Sequence, residues 1–577
     1  MTPKKTRGYF PAKPESEERS VIFGAFDVET NGLGGELLLA TWYIEGMLDA
    51  QIIKGTPSEI VDELLDVFCT YPKRVRWYAH NAQYDWRYII DALIERFSDT
   101  LDFFMRTDND IFMITTDAFE LVDSFAIWPH SLKSLGEQFA PYLPKMQIDI
   151  EHFDVTNPTH LAYAKRDSEL LVKALIGYDD EIYRIFGIHL SFTVASTAQK
   201  AWKQTIDEPY FQPKQIDDFV RSAYFGGLVA FSTIEKQYNV MTYDRNSSYA
   251  ATMRDCLVPY GSHCRTKTYV PGELGIYRVV IETPPNLIFP IIPKRMTKGK
   301  ASWIVWPQGK FETTCTNIEL DFALHRGYKL CEVIDGLLWE DAINPFVSFI
   351  NLCQKTRVAY KGTPTEQVAK LIQNSLYGKF GAKKERAKLF ISKSDDDKIG
   401  AYPWGDSDKL YIRTESSDIM ALPQWAVFIT ANARIELLRI IYQIGPSKVI
   451  YCDTDSITTS EPFPLEYIGD DYGLWKLEKI WKEFRVVAPK VYAGKLANGT
   501  LMGACKGIPK RKVIEDHYRA LLENGSISAN ISILPSLKSF MKGNRETLSQ
   551  TRRSTNLANS KSWKHNNNHV QPVIIET

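Results

Sequence analysis

Tyr451-Cys452-Asp453-Thr454-Asp455-Ser456 follows the apolar run 448–451 and sets two aspartates, two residues apart, at the end of an expected strand. Upstream, Tyr243-Asp244-Arg245-Asn246-Ser247-Ser248-Tyr249 delivers Asp244 from a second expected strand. Acids at strand ends on one sheet can converge on a pair of divalent ions that bridge a triphosphate and a 3′-hydroxyl. Such transfer asks little covalent chemistry of the protein beyond positioning and charge neutralisation. Between the two acid segments lies Lys370-Leu371-Ile372-Gln373-Asn374-Ser375-Leu376-Tyr377-Gly378. Lys370, Asn374 and Tyr377 fall at i, i+4 and i+7, one face of a helix. A cation, an amide and a flat ring on one stripe suit a triphosphate, a sugar and a base. Alone this is an amphipathic helix with a polar stripe; its place between the acids makes it a candidate binding face.

A second set of acids precedes these. Residues 21–27 (VIFGAFD) read as a buried strand, and Asp27-Val28-Glu29 continues it. Residues two apart on a strand share a face, so Asp27 and Glu29 project side by side. Two such anions repel, and a cation between them relieves the repulsion. Alone, this pair is weak evidence. It is followed by His80-Asn81-Ala82-Gln83-Tyr84-Asp85 at the start of an expected helix, and by Tyr163-Ala164-Lys165-Arg166-Asp167 inside another. Tyr163 and Asp167, four apart, share a helix face. Four acids from three elements of one α/β unit can hold two ions that activate water and stabilise a departing 3′ oxygen.

The 577 residues are enough for three or four domains, and with 44% hydrophobic and 12% aromatic residues a packed interior is expected. No apolar stretch is long enough to span a membrane, and residues 1–20 lack the apolar core of a secretory signal, so they are expected to be a flexible tail. None of the eight cysteines is paired at C-x-x-C spacing, which excludes a zinc ribbon and suggests reduced, intracellular thiols. The net charge of −1 does not announce a nucleic-acid binder, although a basic groove can coexist with acidic outer faces. Strands alternate with helices through residue 190, with strands expected at 37–44 and 75–80 and helices at 58–69, capped by Ser58, and 85–96. Residues 256–345 carry short β-like runs, residues 344–375 form two helical arms broken at Gly362 and Pro364, and residues 384–422 are a polar insertion. A helix over 425–442 leads into the strand at 448–451, and the basic stretch 542–564 reads as a disordered tail.

The ordered acids of the first set resemble the D-E-D-D arrangement of proofreading 3′→5′ exonucleases. YDRNSSY, KLIQNSLYG and YCDTDS, in that order after it, resemble the motifs of family B DNA polymerases. A narrower resemblance is to the protein-primed branch of phages, viruses and linear plasmids. It rests on Tyr224-Phe225-Gly226-Gly227, like that branch's Y-x-G-G linker, Lys490-Val491-Tyr492, like its K-x-Y motif, and Lys145-Met146-Gln147-Ile148, like its exonuclease lysine motif. The resemblance implies an RNase H-like exonuclease domain at 21–190, a linker and first palm segment at 191–255, and a first insertion at 256–345 that meets a priming protein. It further implies fingers at 346–383, a second insertion at 384–422 that closes around the template, palm at 423–480, and thumb with a basic tail at 481–577.

The resemblance also implies roles. Asp244, Asp455 and Asp453 would hold metal in the synthetic site, and Asp27, Glu29, Asp85 and Asp167 in the exonuclease. Tyr163 would orient water, Lys145 would assist, and Asn81 and Tyr84 would hold a single-stranded 3′ end. Lys370 would grip the triphosphate, Tyr249 would exclude a ribose 2′-hydroxyl, and Asn374 and Tyr377 would line the nascent base pair. Thr430, Arg434, Lys490, Tyr492, Tyr224, Gly226 and Gly227 would contact DNA. Magnesium or manganese, two ions per site, would serve as cofactor. The implied partners are template and primer DNA, deoxynucleoside triphosphates and a terminal protein, for a monomer acting inside the host cell without a membrane.

Two departures stand out. Ser248 and Ala250 replace an apolar residue and a proline of the family pattern, and Glu366 stands where the branch often has a second lysine. Arg357 or Lys361 would compensate for the latter. Nucleic-acid-primed or unprimed synthesis, and a nuclease or binding factor with a decayed synthetic site, remain the alternatives.

Overall fold

The computed structural model describes residues 8–575 apart from 33, 72–73, 108–109, 212–216, 300, 384, 405–408, 417–420, 510–512, 534–536, 538–548, 556–562 and 567–568. The first lobe is a mixed sheet flanked by helices. Its centre is three parallel strands, Ile22–Thr30, Val75–Ala79 and Glu120–Asp123. Leu37–Ile44 runs antiparallel to the first, with Asp27 opposite Thr41 and Glu29 opposite Leu39. The first strand extends three residues beyond the expected end at Asp27, so both acids lie within it, on one face.

The helix Pro57–Thr70 begins earlier than expected, and its cap is Thr56, not Ser58. Pro57 has no N–H to lose in the first turn. Thr56 Oγ1 accepts from the Glu59 amide at 3.4 Å, and Glu59 accepts from the Thr56 amide at 2.6 Å. The long helix Pro158–Phe186 packs across the sheet and carries Tyr163 and Asp167 near its start; Gly187, at φ +65°, ends it.

The sheet does not end with the first lobe. Its edge strand Asp102–Thr107 pairs, through Phe103 and Leu389, with Glu385–Ile391 of the second insertion. Leu410–Ser416 and Tyr402–Pro403 follow, giving ten strands in all. Leu389, Trp404, Leu410 and Ile412 of the insertion are buried in the core of the first lobe.

The second lobe is built on a seven-stranded antiparallel sheet in the order Val229–Phe231, Val449–Asp453, Ser456–Thr459, Gln237–Arg245, Trp475–Ala488, Val491–Leu496, Leu501–Cys505. The buried helix Pro423–Ile444 is part of the same lobe. Two helices, Val347–Ala359 and Pro364–Ser375, form the expected two-armed element. The first insertion is a separate sheet built from Val258–Thr266, Lys329–Ile343, Gly275–Glu282 and Gln308–Thr316. Where the lobes meet, Trp202 packs edge-on against Trp425 and Phe380.

Neither terminus is the free tail expected. Residues 1–7 lie outside the described residues, but Gly8–Tyr9 pairs with Tyr210–Phe211, and Tyr9 is 1% exposed against Trp202 and Phe380. Much of 542–564 also lies outside the described residues. Near its end, however, Trp563 is buried with the second lobe's core, as is Val570 beyond it, and Ile574–Ile575 adds a parallel strand to the first insertion. Apolar burial outweighs the basic composition that suggested disorder. Among the described residues no helix is long and apolar enough to cross a membrane.

Candidate active sites

Strand pairing places the second-lobe acids. Asp244, next to last in its strand, lies opposite Ser456, and a two-residue turn, Thr454 and Asp455, joins the strands on either side. Thr454 takes φ +62°, a strained conformation for a β-branched residue. The turn is over-determined. The Thr454 amide donates to the Leu228 carbonyl at 2.8 Å, its hydroxyl to Asp453 at 3.1 Å, and the Arg245 amide to the Asp455 carbonyl at 2.8 Å. Burial, then the nearby Asp455 charge, pushes the Asp244 carboxyl up to about 7; burial and Asp453 raise Asp455.

Asp244 and Asp455 line a cavity of about 380 Å³ together with Tyr249, Lys370, Asn374 and Tyr377. The helix Pro364–Ser375 buries Val368, Ala369 and Ile372 and exposes Lys370 and Asn374, as its periodicity requires. Tyr377 stacks on Tyr249, centroids 4.3 Å apart and planes 12° apart. Of the two cations weighed as a substitute for Glu366, Arg357 lines the cavity, donating to Ser247 Oγ at 2.6 Å and Tyr472 Oη at 2.9 Å. Lys361, expected at the nucleotide, lies instead in the exposed bend between the two helices and is not among the lining residues. Ser248, the departure from an apolar residue, is buried with its hydroxyl 3.3 Å from the Arg245 guanidinium.

Two expected DNA contacts are corrected. Thr430 is 2% exposed and donates to the Val427 carbonyl at 3.1 Å. Arg434 is 1% exposed and paired with Glu319 at 2.7 Å. Both sit on a helix buried almost all round, which their spacing alone did not reveal. Lys490 contacts Asp453 at 2.9 and 3.0 Å, and the Tyr492 ring lies 5.5 Å from Tyr451 and from Phe484. In the Y-x-G-G segment Tyr224 is half-buried. A Cβ on Gly227 would come within 2.6 Å of Thr454 Oγ1, so only glycine lets the segment pack on the acid turn; at Gly226 the space is open.

The first-lobe acids come together from three elements. Asp85, in the first turn of Gln83–Phe97, accepts the Val28 amide at 3.1 Å and so is tied to the strand between Asp27 and Glu29. Lys145 pairs with Asp167 and lies 5.0 Å over the Tyr163 ring. Burial, then Asp167, pushes Asp27 up to about 7; burial, then Asp27, pushes Glu29 up to about 9. Asp167 Oδ1 is buried with no hydrogen-bond partner. Asn81, at φ +63°, is exposed, and Tyr84 Oη bonds Thr30 Oγ1 at 2.6 Å. Sequence reasoning missed Asp123, which fixes this loop by accepting the Asn81 and Ala82 amides at 3.0 and 3.2 Å. Its signal was an acid ending a strand beside the site. It also missed Glu319, for which no local signal exists.

Among the described residues no three His, Cys, Asp or Glu side chains converge on one point. The acids instead stand as electrostatically coupled neighbours with an unpartnered carboxylate oxygen. That donor set fits magnesium, which takes one or two carboxylates and completes its shell with water and substrate phosphate.

The raised carboxyls carry a testable consequence. Protonation stabilises the fold, fully below about pH 4 and progressively less as pH rises through about 7 to 9. Metal-free protein is therefore expected to melt several degrees lower near pH 8.5 than near pH 6. Asp27→Asn should shrink that difference. Calorimetry in chelator checks both; an undiminished difference in the variant would place its origin elsewhere.

The α/β lobe followed by a two-armed, acid-bearing antiparallel lobe with two insertions matches the fold of phi29 DNA polymerase. The solved complex of that enzyme with primer-template DNA and incoming nucleotides matches with a TM-score of 0.72 at 20% identity, over 93% of this chain and 100% of that one. Its complex with single-stranded DNA gives 0.71 over the same shares. The family described as DNA polymerase type B, organellar and viral, matches residues 154–472, more than half of the chain, and the chain belongs to it. The matched span holds Asp244, Asp453, Asp455 and Asp167, but not Asp27, Glu29 or Asp85. Relatives include a probable DNA polymerase of Neurospora intermedia, 26% identical over 403 residues, 62% of this chain and 40% of that protein. The DNA polymerase of Bacillus phage Nf is 27% identical over 405 residues, 64% of this chain and 67% of the phage protein. The alignment thus spans less than half of the fungal relative and about two-thirds of the phage one.

Proposed function

We propose that this chain is a DNA-directed DNA polymerase with a 3′→5′ proofreading exonuclease, which starts synthesis on the hydroxyl of a terminal protein and displaces the strand ahead. The observation that carries this reading is the segregation of the acids. Asp244 and Asp455, at the strand ends of one sheet, line a cavity with Lys370, Asn374 and Tyr377, whereas Asp27 and Glu29, on a strand of another sheet, meet Asp85 and Asp167 from the helices packed on it.

Two divalent ions per site, magnesium or manganese, held by these acids and Asp453, would neutralise phosphate charge and activate the attacking oxygen. The chain's own residues do the rest. Lys370 offers its ammonium to the triphosphate, and Arg357 offers a second cation from the facing helix. The Tyr249–Tyr377 stack sets a wall on which a sugar and base can rest, where Tyr249 would exclude a ribose 2′-hydroxyl by steric contact. In the exonuclease, burial and Asp167 hold the Tyr163 phenol well above its usual range, so it stays a hydrogen-bond donor that can orient water. Lys145 balances the charge of Asp167.

Strand displacement draws support from an open cavity of about 1050 Å³ lined by several of the parts that would surround a template. Phe104 and Phe112 come from the exonuclease sheet, Ser196 from the linker, Lys379 and Lys383 from the end of the fingers, and Thr414 from the second insertion. The solved phi29 complexes hold single-stranded DNA, primer-template and nucleotides, the substrates proposed here. Incubation with magnesium, labelled nucleotide and the terminal protein of the same replicon is expected to link nucleotide covalently to that protein. Extension of an annealed primer with no such labelling would replace protein priming with nucleic-acid priming.

A further inference from the structure

Three consecutive carbonyls of the 224–227 loop are taken by arginines from outside it. Arg295, in the strand Lys294–Lys298 of the first insertion, donates to the Tyr224 carbonyl at 2.6 Å. Arg434 donates to those of Phe225 at 2.7 Å and Gly226 at 2.9 Å. Their guanidinium carbons lie 5.2 and 5.9 Å from the centre of the Phe225 ring. Arg434 is anchored in turn by Glu319, fully buried in the helix Asn317–Leu324 of the first insertion. On its other side the loop abuts the acid turn, where Gly227 meets Thr454 and the Leu228 carbonyl accepts the Thr454 amide. The loop is therefore held between the first insertion and the catalytic acids.

A trans peptide points its carbonyl and the following N–H in opposite directions. With the three carbonyls drawn to the arginines, the amides of Phe225, Gly226 and Gly227 turn the other way. Among the described residues none of the three donates to a protein acceptor. The space beside the Gly226 α-carbon is open. Phe225 is buried, but Gly226 is exposed and Gly227 partly so, and outward-facing amides there need an acceptor; such a pair suits a phosphodiester oxygen without regard to sequence.

We propose that Arg295 and the Arg434–Glu319 pair are positioning residues that turn the amides of the 224–227 loop outward to hold one phosphate of the primer-template. The first insertion then sets how firmly the duplex is seated beside Asp455. This rests on the polymerase reading above and adds to it the residues that orient the loop. Arg434 acts through the loop rather than on DNA.

The test uses the full chain and primer-template duplexes carrying a single methylphosphonate at successive linkages, with binding read by fluorescence anisotropy. In the unaltered protein one linkage is expected to weaken binding about tenfold. In R295Q and in R434K the unmodified duplex should bind about tenfold more weakly, and that linkage should no longer matter. R295K should bind as the unaltered protein does, because one carbonyl needs one donor; Arg434 serves the loop with one nitrogen and Glu319 with the other, and in R434K a single nitrogen cannot reach both. Digestion of single-stranded DNA should be unchanged in R295Q, which also covers the case in which R434K does not fold. An unaltered linkage profile in R295Q, a uniform loss at every linkage, or a parallel loss of single-strand digestion would overturn the proposal. Failure of the unaltered protein to bind primer-template at all would instead sink the polymerase reading itself.

Discussion

Changing Asp244 to asparagine is expected to lower nucleotide incorporation on the order of a thousandfold or more while leaving 3′ digestion within about twofold. The substitution keeps shape and removes one charge. Asp244 sits beside Asp455 in a partly closed cavity, where burial and mutual repulsion already push its carboxyl up to about 7. Loss of a carboxylate there removes part of the cation clamp on the transferring phosphoryl group, a contribution of several kcal/mol. Each ~1.4 kcal/mol is a factor of ten in rate. The first-lobe acids stand on a different sheet and the helices packed on it, so the digestion proposed for them should not register the change. Primer extension and digestion of single-stranded DNA, measured on one preparation, decide the matter. A joint fall in both activities, with thermal unfolding unaltered, would mean that the two nests of acids are not separate sites.

The double change Asp27→Ala with Glu29→Ala is expected to give the mirror image, with digestion down on the order of a thousandfold and incorporation retained. These residues project from one strand face toward Asp85 and Asp167, and burial with like-charge repulsion pushes their carboxyls up to about 7 and about 9. Removing both relieves repulsion that the fold otherwise tolerates, so the variant should also gain thermal stability in chelator. Persistent digestion would move the nuclease chemistry away from the Asp27–Asp167 cluster. A proofreading role would further show as a higher frequency of retained mismatches in the variant's products.

The acids were legible because strand and helix periodicities are local rules. Asp27 and Glu29 share a face by the strand repeat, Lys370 and Asn374 by the helix repeat, and both pairs stand where those rules put them. The resemblance misled at Thr430 and Arg434, because a matched motif carries a role without saying what covers its residues in this chain. Arg434 is buried because Glu319, more than a hundred residues earlier, meets it, and no window of sequence contains both. Thr56 in place of Ser58 as a helix cap is a smaller case, in which proline at the next position settled the choice. The termini were misread for a related reason. Polarity marked them as solvated, yet Tyr9, Trp563 and Val570 contribute enough apolar surface to tie them down.

The ten-stranded sheet bears on how the chain is made. Its central strand is complete by residue 30, but one margin consists of strands ending at residue 416. A nascent first lobe would leave the ribosome with Asp102–Thr107 bare and its hydrogen-bonding groups unmatched, an open template for sticking to other chains. Folding must wait for distant segments, so contact order is high and maturation slow. Cutting the chain after the helix Pro158–Phe186 to isolate a nuclease would expose that same edge. A stable fragment would need its own cover there, such as a lysine or proline set into the bare strand.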